Sequence, residues 1–260
     1  MSRQRGPLVP GVRHHPPKPA SSRRRHDRAR LIALERQFVP LLVAGLLPIL
    51  LLPLTAKGDL AGRILLAAMI TLLSVQALRS LPRLALDRHA GILLVLYRGI
   101  AALSCIGCWV PVPTSGWPNA AVRLLVLSSM ALFFLISSLR LVHLLARVPR
   151  VNLEVLAGAA AGYLLLGLTG GVVATATEVL QPGSFSVAHG GGHEMLMDRL
   201  TYFSFITIGG LGYGDILPTN AVGERFAILL SVASTLYLTV LMGLLLGRFL
   251  ASGAMDPPNS

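Results

Sequence analysis

Residues 207–215 read Thr-Ile-Gly-Gly-Leu-Gly-Tyr-Gly-Asp, and this stretch decides the fold of the chain. Its four glycines tolerate backbone conformations that most other residues avoid. A backbone with that freedom can point successive carbonyl oxygens in one direction. A dehydrated cation needs such a row of carbonyls, and it needs them from several chains at once. The stretch therefore predicts a carbonyl-lined cation site, with Tyr213 pointing outward and bracing the strand.

The segments on both sides of this stretch are apolar and long. Apolar residues make up 53% of the chain and charged residues only 13%, and the mean hydropathy is +0.68. A helix that crosses the hydrocarbon core of a bilayer needs about 20 residues. These values predict an all-α membrane protein with six transmembrane helices, at residues 38–55, 60–78, 91–110, 120–146, 154–180 and 221–251.

A further apolar segment, residues 195–208, is too short to span a bilayer. Its position directly before the glycine-rich stretch predicts a re-entrant pore helix that leads into a selectivity-filter loop. The first span contains Pro40, Pro48 and Pro53, which predict a kinked or irregular helix. A membrane helix tolerates proline because neighbouring groups can bond the backbone carbonyls that proline leaves free.

Basic residues are concentrated at the start of the chain. Residues 1–36 contain 10 of the 23 Lys and Arg residues, and they include few residues that could build a core. This composition predicts a disordered tail. The charge could bind nucleic acid or anionic lipid headgroups, and the adjacent membrane segments favour lipid headgroups and exclude a nucleic-acid role.

The distribution of arginine predicts the orientation of the chain. The loops after the second and fourth spans carry Arg79, Arg83, Arg88, Arg147 and Arg150, whereas residues 111–119 and 180–194 contain no Lys or Arg. Because basic loops stay in the cytoplasm, both termini are predicted to be cytoplasmic. The protein is then a multi-pass protein of the cell (inner) membrane, and the filter loop enters from outside.

Residues from about 154 to 251 resemble the pore module of the potassium channel superfamily, with outer helix, turret, pore helix, filter and inner helix. With four preceding spans, the whole chain is similar to prokaryotic six-transmembrane potassium channels that do not sense voltage. This resemblance implies a homotetramer with one central pore, passive K⁺ conduction, no enzymatic activity and no cofactor other than K⁺ as the permeant ion. It also implies a division of the chain into a basic tail (1–36), a four-helix region (37–150), a pore module (151–252) and a short C-terminal tail (253–260).

The filter implied by the resemblance runs from Gly210 through Leu211, Gly212, Tyr213 and Gly214 to Asp215, and the carbonyls of its first four residues would bind K⁺. The family usually reads Thr-Val-Gly-Tyr-Gly, and the threonine hydroxyl completes the innermost ion site. Gly210 cannot supply that hydroxyl. Either the inner end is more mobile and K⁺ selectivity is reduced, or packing by Leu211 and the pore helix restores rigidity. On the first alternative, Gly210→Thr is expected to sharpen selectivity.

Residues before the filter are expected to support it. Tyr202 and Phe203 occupy the positions of the family's aromatic cuff, and Thr207 and Gly209 lie where the pore helix meets the filter. Some relatives carry a glutamate partner for the filter aspartate at the position of Ile206. Asp215 is therefore expected to bond water, Tyr202 or a backbone group.

The last span is expected to line the cavity. Ser234 falls where several relatives have a hinge glycine. The sidechains of Leu238, Met242 and Leu246 recur every four residues and so share one helix face, where they could form an apolar constriction or pack against the outer helix. Gly243 could be a hinge or a close-packing position.

Three other features are open to interpretation. Cys105 and Cys108 are too few for a structural zinc site and are interpreted as small buried residues, with redox chemistry the alternative. His189 and His193 flank three glycines and could bind protons or Zn²⁺ in a tetramer, or could lie in a flexible loop. The fourth span lacks the repeated arginines of a voltage sensor, so little voltage dependence is expected.

Two alternatives to K⁺ conduction stay open at this point. One is a weakly selective monovalent cation channel. The other is a non-conducting regulatory or transporter-like subunit that keeps the pore fold. The few residues after 251 indicate no cytoplasmic ligand-binding domain, so gating is expected to act through lipid, the basic tail, the first four spans or a partner.

Overall fold

The structure is a computed structural model that describes residues 37–55, 60–80, 88–109, 119–147, 151–187 and 193–253. The predicted basic tail and the turret histidine His189 lie outside these residues. All of these residues belong to one compact unit, Leu34–Ser260. The helices are α1 (Phe38–Thr55), α2 (Leu60–Ser80), α3 (Arg88–Trp109), α4 (Ala120–Arg147), α5 (Leu153–Leu180), α6 (His193–Ile208), α7 (Ala221–Leu236), a π-helical segment (Tyr237–Met242) and α8 (Gly243–Gly253).

Four of the predicted membrane spans are long and apolar enough to cross a bilayer. They lie in α2, α4, α5 and the continuous stretch from α7 into α8. In α1 and α3 the apolar helical stretches are shorter, at Phe38–Leu51 and Leu94–Trp109. The all-α membrane fold is therefore confirmed, while the count of six spans stays a prediction. Despite its three prolines, α1 is assigned as one uninterrupted α-helix.

Helix α5 lies at the centre of the described fold. It packs against α1, α4, α6 and α7, and 67% of its apolar stretch is buried inside the chain. The span that runs from α7 into α8 is more apolar, with a mean hydropathy of 2.1 against 1.7 for α5, yet only 28% of its apolar stretch is buried. The inner helix therefore leaves most of its apolar surface uncovered by its own chain.

Glycines let the pore helix α6 lie directly against α5. A Cβ on Gly171 would lie 2.7 Å from the Cα of Thr201, and a Cβ on Gly170 would collide with the Ser204 hydroxyl. The Ser204 hydroxyl donates a hydrogen bond of 2.7 Å to the carbonyl of Gly167. Small residues that let helix backbones approach are characteristic of membrane helix packing. This contact fixes α6, and therefore the start of the glycine-rich loop, on α5.

Aromatic residues hold α3 and α4 together. The rings of Tyr97 and Phe133 stack with centroids 5.3 Å apart, and the Tyr97 and Ser137 hydroxyls are 2.8 Å apart in a buried hydrogen bond. The Arg140 guanidinium lies over the Tyr97 ring at 4.5 Å, an arrangement that a cation–π attraction stabilises. Arg140 thus contributes to packing between these helices.

The inner helix begins with a side-chain cap and then changes its winding. The Asn220 side chain accepts hydrogen bonds from the amides of Val222 and Gly223 at 3.1 and 2.9 Å, satisfying donors that have no partner inside α7. After Leu236 the backbone runs through the π-helical segment before α8 begins. Such segments are rare and frequently occur at functional sites. Apolar periodicity did not indicate this one.

Candidate selectivity filter and its supports

The backbone of the glycine-rich loop alternates in handedness. Gly210, Gly212 and Gly214 have φ angles of +71°, +54° and +77°, a region that L-residues with side chains rarely adopt. Left-handed conformation at every second residue is what a strand needs to turn successive carbonyls the same way. The angle at Gly210 also adds a backbone cost to Gly210→Thr, because a β-branched residue fits this region poorly. The sequence did not reveal this cost.

The inner end of the loop is hydrogen-bonded to the C-terminus of α6. The amide of Gly209 donates to the Phe205 carbonyl at 3.0 Å, Gly210 to Thr207 at 3.1 Å, and Leu211 to Ile206 at 3.0 Å. The hydroxyl of Thr207 donates to the Phe203 carbonyl at 2.7 Å, so it bonds within its own helix. The pore helix therefore orders the two adjacent glycines. The Leu211 side chain is 61% exposed and adds little packing within the chain.

The outer end of the loop is bonded to α6 through Asp215. The Tyr202 hydroxyl donates a hydrogen bond to the Asp215 carboxylate, and this bond raises the pKa of Tyr202 above its usual value of 10.0. The carboxylate disfavours the phenolate because two negative charges would then face each other. Of the three partners expected for Asp215, the structure shows Tyr202. This contact joins a predicted support residue to the predicted filter.

Phe203 is buried in a hydrophobic cluster, whereas the side chain of Tyr202 is exposed. The ring centroids of Phe203 and Phe185 are 5.2 Å apart. The ring centroids of Phe185 and Phe226 are 6.2 Å apart, in an edge-to-face arrangement. Leu200 and Ile216 complete this cluster. The predicted aromatic cuff is thus divided within one chain: Tyr202 bonds the filter end, and Phe203 supports it from behind.

A buried carboxylate that the sequence analysis missed shapes the turret. Glu178 lies at the end of α5 and is 4% exposed. Its carboxylate accepts hydrogen bonds from the amides of Gly183 and Phe185 at 2.7 and 3.0 Å. An acidic residue near the end of an apolar span, followed by a glycine turn, was the available signal. Glu178 directs the chain so that Phe185 reaches the cluster behind the filter.

The segment after the filter pairs with the turret. The amide of Ser186 donates to the Leu217 carbonyl at 2.8 Å, the Leu217 amide to the Ser186 hydroxyl at 2.7 Å, and the Thr219 amide to the Ser184 carbonyl at 2.9 Å. The Asn220 side chain also donates to the Ser184 hydroxyl at 2.9 Å. The outer mouth is therefore held on the side of the outer helix as well as by the pore helix.

The predicted cavity residues differ in their surroundings. Ser234 is 2% exposed and its hydroxyl donates to the Ser231 carbonyl, so it faces the interior of the chain. Leu238 and Leu246 are exposed. Met242 is partly buried and packs against the larger of the two hydrophobic clusters of the described residues. The α-helical spacing that placed them on one face does not hold across the π-helical segment, which has wider turns.

The two glycine interpretations can be compared for Gly243. A Cβ at this position would have no neighbour within 4 Å in the chain. Its φ and ψ angles of −60° and −43° are helical. Within one chain, Gly243 therefore makes no close helix contact, and its role as a hinge stays a prediction.

The remaining candidates form no metal site in the described ranges. Cys105 and Cys108 are free thiols, and the described residues contain no group of three or more His, Cys, Asp or Glu that could hold a metal ion. His193 begins α6. Proton or Zn²⁺ binding by the turret histidines stays a prediction.

Comparison with known proteins identifies the pore segment. Residues 164–251, about a third of the chain, match the family described as "Ion channel". This match covers most of α5, all of α6, the filter loop and most of the inner helix. Neither a curated protein nor a solved structure matches the chain. Ion channels are a non-enzymatic class. Over this segment, the chain is similar to ion channels.

Proposed function

We propose that four copies of this chain surround one pore and conduct K⁺ passively down its electrochemical gradient. The observation that carries this proposal is the left-handed backbone at Gly210, Gly212 and Gly214, in a loop bonded to α6 at both ends. Carbonyls of residues 210–213 would replace the hydration shell of the ion. K⁺ is the permeant ion, and conduction needs no cofactor.

The exposed side chains of the loop support assembly. Leu211 and Tyr213 are 61% and 67% exposed in a single chain, although both are large and mainly apolar. One strand cannot encircle an ion, whereas cyclic symmetry brings equivalent strands around one axis. We propose that a neighbouring copy covers these two side chains, and that the uncovered inner helix faces other copies and the pore.

Order at the inner end favours K⁺ over the weakly selective alternative. The amides of residues 209–211 are all bonded to α6, so the two glycines do not depend on a side chain for their conformation. One observation favours a weakly selective channel: Gly209 and Gly210 have no side chains that could cover the inner end of the filter loop. Weak selectivity among monovalent cations is therefore the second candidate.

Orientation and lipid contacts follow from the distribution of charge. We propose that both termini are cytoplasmic in the inner membrane, because the basic loops alternate with uncharged ones. The basic residues of segment 1–36 would then lie near anionic headgroups. On the same side of the membrane, the exposed Leu238 and Leu246 would narrow the pore by dewetting.

A flux assay tests the proposal. Purified protein is reconstituted into phosphatidylethanolamine–phosphatidylglycerol liposomes loaded with K⁺ or Na⁺, and release of each ion is measured. We expect K⁺ release to exceed Na⁺ release and to fall in Gly212→Ala, whose backbone is left-handed. The matched control is Gly99→Ala, at a helical position of α3 with no neighbouring atom within 4 Å. Equal loss in both variants, or equal release of both ions, would contradict K⁺ conduction through this loop.

A further inference from the structure

The last four carbonyls of the pore helix accept hydrogen bonds from five donors, and one of these donors lies on another helix. The last four carbonyls of an α-helix lack amide donors from within that helix. Amides of the filter bond the carbonyls of residues 205, 206 and 207. The carbonyl of Ile208 instead accepts a hydrogen bond of 2.8 Å from the hydroxyl of Tyr163 on α5. Tyr163 thus bonds the residue directly before Gly209 and Gly210.

A second tyrosine holds Tyr163 in place. The ring of Tyr237 contacts that of Tyr163 with centroids 5.9 Å apart, and Tyr237 is buried. Its hydroxyl donates to the Ala159 carbonyl at 2.5 Å, one turn before Tyr163 on α5. A Cβ at Gly162 would collide with the Tyr237 hydroxyl. The local sequence of α5 therefore accommodates Tyr237 at this point.

This arrangement joins three elements at the inner end of the filter. Tyr237 is the first residue of the π-helical segment in the inner helix, Tyr163 lies on the outer helix, and Ile208 ends the pore helix. Residues 209 and 210 have no side chains that could fix this end. An ordered inner end must therefore depend on bonds to its backbone and to the residue that precedes it.

We propose that Tyr163 is a positioning residue for ion selection. Its hydroxyl fixes Ile208 and hence the geometry of the two glycines, and Tyr237 fixes Tyr163. This inference rests on the proposed function, because it assigns a cause to the order of a filter that selects K⁺. Tyr163 acts through the Ile208 carbonyl and does not contact the ion.

Tyr163→Phe tests the inference, because it removes the hydroxyl and keeps the ring. The matched control is Tyr97→Phe, which removes a different hydrogen-bonded tyrosine hydroxyl, one that is buried and lies far along the chain from the filter. Two quantities are measured on the full-length protein. They are the K⁺/Na⁺ permeability ratio in planar bilayers, and the amide hydrogen-exchange rates of residues 209–212 in nanodiscs.

We expect Tyr163→Phe to speed exchange at residues 209–212 by about two- to tenfold, the range for loss of one neutral hydrogen bond. The permeability ratio should fall by at least about twofold on the same basis. Tyr237→Phe should change both quantities in the same direction but less. Tyr97→Phe should change neither.

Identical behaviour of Tyr163→Phe and Tyr97→Phe would overturn the inference. Faster exchange with an unchanged permeability ratio would also overturn it, since Tyr163 would then only stabilise the fold. A wild-type protein that passes K⁺ and Na⁺ equally would contradict the proposed function instead. In that case the exchange rates alone would decide whether Tyr163 positions this segment.

Discussion

Replacing Gly210 by alanine should weaken K⁺ binding through the backbone alone. Its φ angle is +71°, and a Cβ there would meet no atom within 4 Å of the same chain. The cost is therefore conformational: an L-residue in the left-handed region is less stable by about 1–2 kcal/mol. That corresponds to about a 5- to 30-fold change in an equilibrium constant for each subunit. If only the left-handed filter binds K⁺, the apparent affinity falls with the population of that state.

The assay is the K⁺ concentration that gives half-maximal thermal stabilisation of the purified protein, with choline replacing K⁺ at constant ionic strength. We expect Gly210→Ala to need at least about fivefold more K⁺ than the wild type, from the cost to one subunit alone. Gly243→Ala is the control, because its backbone is helical and alanine favours helix by up to about 1 kcal/mol. Equal K⁺ midpoints for Gly210→Ala and wild type would refute the backbone argument.

Three further predictions concern the supports. Gly171→Ala should lower the free energy of unfolding by about 1–3 kcal/mol, measured by thermal unfolding, because its methyl group would meet the Thr201 backbone. Glu178→Ala should speed amide exchange in the turret, since it leaves buried amides without an acceptor at a cost of about 1–3 kcal/mol. Tyr202→Phe should remove an alkaline titration step from the current. The raised pKa of Tyr202 means that its bond to Asp215 is intact below pH 10 and is lost as the pH rises through the raised pKa.

Each of these predictions has a control. Gly247→Ala adds the same methyl group in open space, so equal destabilisation would mean that close packing at Gly171 is unimportant. Glu178→Gln keeps one acceptor oxygen and should have an intermediate effect. Absence of any exchange difference between the two Glu178 variants and wild type would contradict the turret contacts. An alkaline step that persists in Tyr202→Phe would assign the titration to another group.

Local sequence was sufficient to predict the unusual backbone of the glycine-rich loop and the most apolar helices. Alternating glycines at 210, 212 and 214 indicated a special backbone because only glycine adopts positive φ freely. Long apolar stretches indicated α2, α4, α5 and the inner helix because a bilayer sets the length of a span. Tyr202 was among the expected partners of Asp215 because it occupies a position of the family's aromatic cuff.

Contacts between distant residues could not be predicted in the same way. Tyr163 and Ile208 are 45 residues apart, and their bond depends on how closely α5 and α6 pack. The role of Glu178 could not be predicted from its position at the end of a span, because that role is to accept hydrogen bonds from the amides of Gly183 and Phe185. The π-helical segment at 237–242 was not predicted, because it lies within a long apolar span whose periodicity does not distinguish it from an α-helix. Its presence changes which residues share a face of the inner helix.

Reversal potential under bi-ionic conditions tests the central claim most directly. Purified protein is inserted into a planar bilayer that has K⁺ solution on one side and Na⁺ solution on the other. The potential at which the single-channel current is zero is then measured. The account predicts a potential displaced strongly toward K⁺ equilibrium, because the loop at 210–214 is ordered by its bonds to the pore helix. Clear single-channel events that reverse near zero would contradict it.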